Sequence, residues 1–103
     1  ARILKAETVE RMTRNQLGDI RIPFPGADVM GYGFGVLSDD SKSKQKDPAG
    51  VGTYGWGGAF GTFFWIDPKN ELVGVFMTQV FPPDFTMATQ FKKLAYDALS
   101  GTK

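Results

Sequence analysis

Between Tyr54 and Trp65 the chain places six of its fourteen aromatic residues (Tyr54, Trp56, Phe60, Phe63, Phe64 and Trp65) and interleaves them with Gly55, Gly57, Gly58 and Gly61. Aromatic side chains suit a pleated, half-buried surface, and glycines beside them let a second backbone approach. The stretch predicts two strands, about Thr53–Gly57 and Thr62–Ile66, joined by a glycine-containing bend. Asp67-Pro68-Lys69-Asn70 follows as a turn with proline at its second position. Glu71 to Val80 is then a nearly continuous apolar run, the pattern of a strand buried on both faces, and Pro82-Pro83 stops it.

The rest of the chain frames this meander. Met87, Phe91, Leu94, Ala95, Ala98 and Leu99 repeat at steps of three and four, with Asp84 or Thr86 as N-cap and Gly101 just past the end, so a C-terminal helix is expected. Ile3, Leu4, Val9, Met12 and Leu17 give a looser helical period, read as a helix from about Lys5 to Leu17 and stopped by Gly18. Pro23, Pro25 and Gly26 make Asp19–Met30 a connector. Gly31-Tyr32-Gly33-Phe34-Gly35-Val36-Leu37 alternates small and large residues with period two and reads as a strand with one glycine face. Ser38–Gly52 is polar and charged, the composition of a mobile surface loop. The expected fold is α+β, an antiparallel four-stranded meander flanked by N- and C-terminal helices, with residues 1–103 forming a single domain.

Composition narrows the chemistry. A net charge of +1 over 103 residues argues against nucleic acid or an anionic membrane surface as partner. No run approaches the roughly 18–20 apolar residues of a membrane-spanning helix. With no cysteine and no histidine, thiolate nucleophiles, imidazole bases and most zinc sites are excluded, leaving Ser, Thr, Lys, Tyr and carboxylates. The carboxylates do not converge in sequence, and Gly31-x-Gly33-x-Gly35 lacks the spacing of a dinucleotide fingerprint, so no metal and no cofactor are expected. Ser41-Lys42-Ser43-Lys44 holds a literal Ser-x-x-Lys, in which a lysine amine can accept the proton of a serine nucleophile. That lysine has to be desolvated to act as a base, and the surrounding text is polar, so a solvated surface is the expected reading. The compartment is open between cytoplasm and the periplasmic or secreted space.

Several segments together resemble one family. They are Glu7 to Leu17 (ETVERMTRNQL), Gly31 to Val36 (GYGFGV), Gly55 to Thr62 (GWGGAFGT), Trp65-Ile66-Asp67-Pro68 and Glu71 to Gln79 (ELVGVFMTQ). In this order they are similar to the C-terminal part of the serine β-lactamase-like superfamily, nearest its class C-related esterases and its penicillin-binding-protein-like and D-aminopeptidase-like hydrolases. The family carries a Ser-x-x-Lys on a helix near its N-terminal end, a Tyr-x-Asn, and a Lys-Thr-Gly or substitute on the strand lining the site. Trp56-Gly57-Gly58 looks like the substitute. The resemblance implies that the Ala59 amide supplies one oxyanion donor beside the nucleophile's own, that Gly57 and Gly58 leave room for substrate, and that Trp56 walls the acyl pocket.

The departures define what the chain is expected to do. No Tyr-x-Asn occurs, and the Ser-x-x-Lys at Ser41 stands between the strand and the third motif, where the family does not place its nucleophile. Trp56 in place of a lysine removes a cation that would meet a β-lactam carboxylate and tilts the parent activity toward esters. The resemblance thus implies the C-terminal segment of a hydrolase of ester, amide or lactam small molecules, inactive alone, and the opening on Ala1 rather than Met fits a processed chain or a piece of something larger. The alternative is a non-catalytic domain that binds a ligand or dimerises. Glu71–Val80 is expected to pair with a missing N-terminal portion or a second copy, because an apolar edge strand is a pairing hazard.

Overall fold

The computed structural model describes residues 2–101, the side chains of Ser41 and Lys42 excepted. Its elements run α1 (Ala6–Met12), β1 (Val29–Met30), β2 (Gly35–Val36), α2 (Asp39–Gln45), β3 (Tyr54–Gly57), β4 (Phe63–Asp67), β5 (Leu72–Phe76) and α3 (Thr86–Gly101). The five strands form one antiparallel sheet in chain order, β1-β2-β3-β4-β5, so every connection is local. The fold is α+β with helices at both ends, and the meander has five strands rather than four.

The extra strand, Val29–Met30, falls at the end of the predicted connector Asp19–Met30, and the Gly31–Leu37 text is not one strand, since only Gly35 and Val36 are in β2. Gly31 N–H donates to the Phe34 carbonyl at 2.8 Å. Gly33 takes a φ of +88°, open to glycine at little cost. The glycine-rich segment is therefore a hairpin tip between β1 and β2, in register Val29↔Val36 and Met30↔Gly35. A second correction concerns Ser38–Gly52. Its first half is α2, and its second half is buried at Ala49 and Gly50. Aspartates in the first turn complement the helix dipole, and Lys44 pairs with Asp40 at 3.0 Å one turn apart.

α1 is shorter than the sequence predicts. It ends at Met12 because the Thr13 hydroxyl turns back to the Val9 carbonyl (3.0 Å) and Asn15 Oδ1 takes the Leu17 amide (2.8 Å). It buries no residue and is tied to the sheet by Tyr32 N–H to Met12 O (2.9 Å) and Gln16 N–H to Met30 O (2.7 Å).

α3 lies across one face of the sheet. Alternation along β4 sends Phe63, Trp65 and Asp67 toward it and Phe64 and Ile66 away, and only the first set is buried. The cluster of Phe63, Trp65 and Ala88 is packed by Phe24, Leu72, Phe76, Phe85, Ala95 and Tyr96. Gly74 is required here, because a Cβ at that position would collide with the Trp65 indole. The helix is turned differently from its apolar stripe. Ala88, Lys92, Ala95 and Tyr96 carry the buried or half-buried side, while Met87, Leu94 and Leu99 are exposed. The cause is polar: Lys92 and Tyr96 meet Asp47 and Asp67 on the inner side.

β5 is also corrected. It covers five residues rather than ten, and as an edge strand it is not buried on both faces: Val73 is 63% and Val75 56% exposed. With Phe64, Ile66 and Met77 they form an apolar face that no described helix covers.

Candidate functional site

The β3–β4 hairpin carries the segment that the sequence singles out. β3 pairs with β4 in register Trp56↔Phe64 and Gly57↔Phe63. The tip closes with Gly58 N–H to the Thr62 carbonyl (2.8 Å) and Gly61 N–H to the Gly58 carbonyl (3.1 Å). Trp56 is held by its ring, stacked on Phe24 at 4.5 Å with 12° between planes, and Phe24 rests in turn on Phe63 and Phe85. Beside Trp56 a trough of about 280 Å³ runs over Gly57, Gly58, Thr62, Phe64, Val75 and Met77. It opens onto the uncovered apolar face.

Two of the predicted site residues have a role within the chain itself. A Cβ at Gly57 would come within 2.9 Å of the Phe85 ring, and one at Gly58 would collide with the Thr62 hydroxyl. The room that these glycines leave is already used by the fold. Ala59 is different. Exposed at the hairpin tip, its backbone N–H has no hydrogen-bond acceptor among the described residues.

Ser41 and Lys44 are not brought to this hairpin's trough. Both lie in α2, where Lys44 is exposed and bound to Asp40, so its amine is hydrated rather than desolvated; the Ser41 side chain lies outside the described residues. The sequence reading missed two polar centres on the α3 side. Asp67, with no exposed surface, accepts from Tyr96 Oη (2.6 Å), Gly50 N (2.9 Å), Asn70 N (3.1 Å) and Asn70 Nδ2 (2.7 Å). Burial opposes ionisation there, but the hydrogen bonds outweigh it and hold the carboxyl down at about 2. The same burial and bond to Asp67 push the Tyr96 phenol up, well above its ordinary range. Trp65 Nε1 completes the chain by donating to Tyr96 Oη at 3.0 Å.

The second centre is the Lys92–Asp47 ion pair, 3.1 Å apart with both side chains buried. Lys92 Nζ also stands 5.4 Å from the Trp65 ring centre. Above it a cleft of about 580 Å³ separates the end of α2 from α3. These contacts span 29 and 45 residues, so local spacing offered no signal for them.

A model of the family described as beta-lactamase matches residues 1–97. This chain belongs to the beta-lactamase family. Two relatives from Mycobacterium tuberculosis, "Uncharacterized protein MT1414" of strain CDC 1551 / Oshkosh and "Protein Rv1367c" of strain ATCC 25618 / H37Rv, are each 37% identical over 89 residues. The match takes in 79% of this chain and 22% of each relative, so the chain spans about a fifth of the proteins it matches. Trp56 and Gly57 end β3 and Gly58 follows it, and no Tyr-x-Asn occurs in the sequence.

Proposed function

We propose that this chain forms one wall of an esterase-like acyl-transfer site, with the nucleophile and its base supplied by family sequence outside these residues. The observation that carries this reading is the Ala59 amide, without an acceptor among the described residues and next to a trough walled by Trp56. In such a site a serine hydroxyl attacks the substrate carbonyl, and its oxygen becomes an oxyanion held by two backbone N–H groups. Ala59 is one donor. The alcohol leaves with a proton from the base, and water then releases the acid from the acyl-enzyme. An amide fixed before the charge develops costs no reorganisation, which is why one such donor is worth about 10²–10³ in kcat. Trp56 presents an apolar wall where a lysine would attract a carboxylate, which favours esters over lactams.

The test has two stages. The chain alone, incubated with a fluorophosphonate and separately with a chromogenic short-chain ester, is expected to give no adduct by intact mass and no turnover. A stoichiometric adduct on Ser41 with turnover would overturn the reading. Extended N-terminally to the length of its relatives, the protein is expected to hydrolyse the ester. Ala59→Pro, which removes the amide hydrogen, is then expected to lower kcat about 100-fold with KM little changed.

The exposed β5 edge and the outward stripe of Met87, Leu94 and Leu99 on α3 favour a second reading, a non-catalytic module that pairs along β5 with another copy. Size exclusion with light scattering is expected to give a dimer under that reading. A stable monomer at low micromolar concentration counts against it.

A further inference from the structure

Beyond the trough, the apolar surface continues across a lip that the site as described does not use. The segment after β5 is fastened to the hairpin tip by Val80 N–H (2.9 Å) and Thr78 Oγ1 (2.8 Å), both donating to the Phe60 carbonyl. This fixes the Phe60 and Phe81 rings 5.6 Å apart, although they are 51% and 70% exposed. Met77, which also lines the trough, leads into the segment that carries Val80 and Phe81. From Val51 to Ile66 and from Leu72 to Pro83 there is no charged residue. Large apolar side chains held in water by hydrogen-bonded backbone, next to a candidate oxyanion donor, make an informative exposed patch.

We infer that the lip of Met77, Phe60 and Phe81 receives the alkyl chain of an apolar acyl ester, so that the substrate class is esters of medium-length fatty acids rather than of short or charged acids. The inference rests on reading the trough as the acyl-transfer wall and deepens it. Ala59 precedes Phe60, so a carbonyl at the Ala59 amide starts the chain beside the first ring of the lip. Each methylene that leaves water contributes about 0.8 kcal/mol when fully buried, equivalent to about a fourfold gain in affinity, and somewhat less on a half-open lip.

The experiment uses the chain as it stands, unreactive toward esters under the reading above. Methyl butanoate, hexanoate and octanoate are titrated below their aggregation limits, following amide and methyl resonances by NMR. Affinity is expected to rise about two- to fourfold per methylene. The shifts are expected to centre on Ala59, Phe60, Met77 and Phe81. The double variant Phe60→Ser/Phe81→Ser, checked for native dispersion, is expected to bind all three esters more weakly and to lose the dependence on length; if it unfolds, Phe81→Ser alone serves. Affinity independent of length, or shifts centred on the cleft beside Lys92, would overturn the inference. So would concentration-dependent shifts of the lip amides without ester, which assign the patch to a second copy. The two readings fail separately. Length dependence with an inert Ala59→Pro in the extended protein breaks the oxyanion assignment alone, and a 100-fold loss for Ala59→Pro with flat length dependence breaks the lip alone.

Discussion

Phe63 and Phe64 are neighbours on one strand, yet the surfaces they serve are built on different principles. On the α3 side, Phe63, Trp65 and Asp67 are buried, every buried side-chain polar atom among the described residues has a partner, and a carboxylate, a phenol, an indole and an ammonium are all paired beneath the helix. On the opposite side Phe64, Ile66, Val73 and Val75 are half-exposed or exposed, and side-chain hydrogen bonds are replaced by an open trough. The first side spends its interactions on holding the fold, and buried polar networks of that kind specify one arrangement because leaving any member unpaired is costly. The second side adds little to the stability of this chain, so its apolar residues call for an occupant.

The largest effect is expected from Trp65. Trp65→Ala empties the centre of the covered face and removes the donor to Tyr96, which costs about 3–5 kcal/mol. In a domain of this size that is enough to leave much of the population unfolded, and circular dichroism at 25 °C checks it. Trp65→Phe, with part of the ring retained, keeps the unfolding transition measurable in urea. A cost for Trp65→Ala below 1 kcal/mol would break the contrast at its strongest point.

Asp67 comes next, and it is tested by pH. Its folded carboxyl sits at about 2 against an ordinary 3.8, so it contributes stability above pH 3.8 that is lost as pH falls toward 2. The size is about 2 kcal/mol. Asp67→Asn is therefore expected to be less stable than the parent by about that amount at pH 7 and to approach it at pH 2. Urea midpoints across this range give the difference, and parallel pH profiles for the two proteins would show that the network does not favour the ionised form.

How legible these surfaces were follows from the distance over which each is encoded. β4 and α3 were readable because their periods are local, and of the two N-cap candidates, Asp84 and Thr86, Asp84 accepts the Thr86 amide on its Oδ1 at 2.9 Å at the start of α3. Gly31–Leu37 was misread because a period of two is shared by a strand and by a hairpin tip that runs into a two-residue strand, and Gly33's positive φ is not visible in composition. α2 was missed because it has no apolar face; its signal was the Asp40–Lys44 spacing. The rotation of α3 follows Asp47 and Asp67, far away in sequence, so of its apolar stripe Phe91 and Ala95 meet the sheet side while Met87, Leu94 and Leu99 are exposed. Trp56, Gly57, Gly58 and Ala59 were singled out by glycine–aromatic interleaving, but the role given to the Ala59 amide came from family resemblance alone.

A smaller effect separates fold from site at Gly58. A Cβ there collides only with the Thr62 hydroxyl, the end of a side chain that can rotate, so Gly58→Ala is expected to cost about 1 kcal/mol. In a Thr62→Ala background most of that cost should vanish. Urea midpoints of the four proteins in this cycle give the coupling, and additive effects would mean that something other than Thr62 requires the glycine.

The smallest expected effect is the most useful for the open face. Val73→Thr and Val75→Thr exchange a methyl for a hydroxyl on residues already more than half exposed, so each should change the stability of this chain by no more than about 0.5 kcal/mol. The same substitutions made in a protein of the relatives' full length bear on what lies over that face. If the additional sequence packs on the uncovered sheet, the hydroxyls become buried without partners and each costs about 1–3 kcal/mol. If the cost stays near zero in both proteins, the face remains in water. The trough then opens to solvent, and a nucleophile has to reach the Ala59 amide from the hairpin tip instead of from above the sheet.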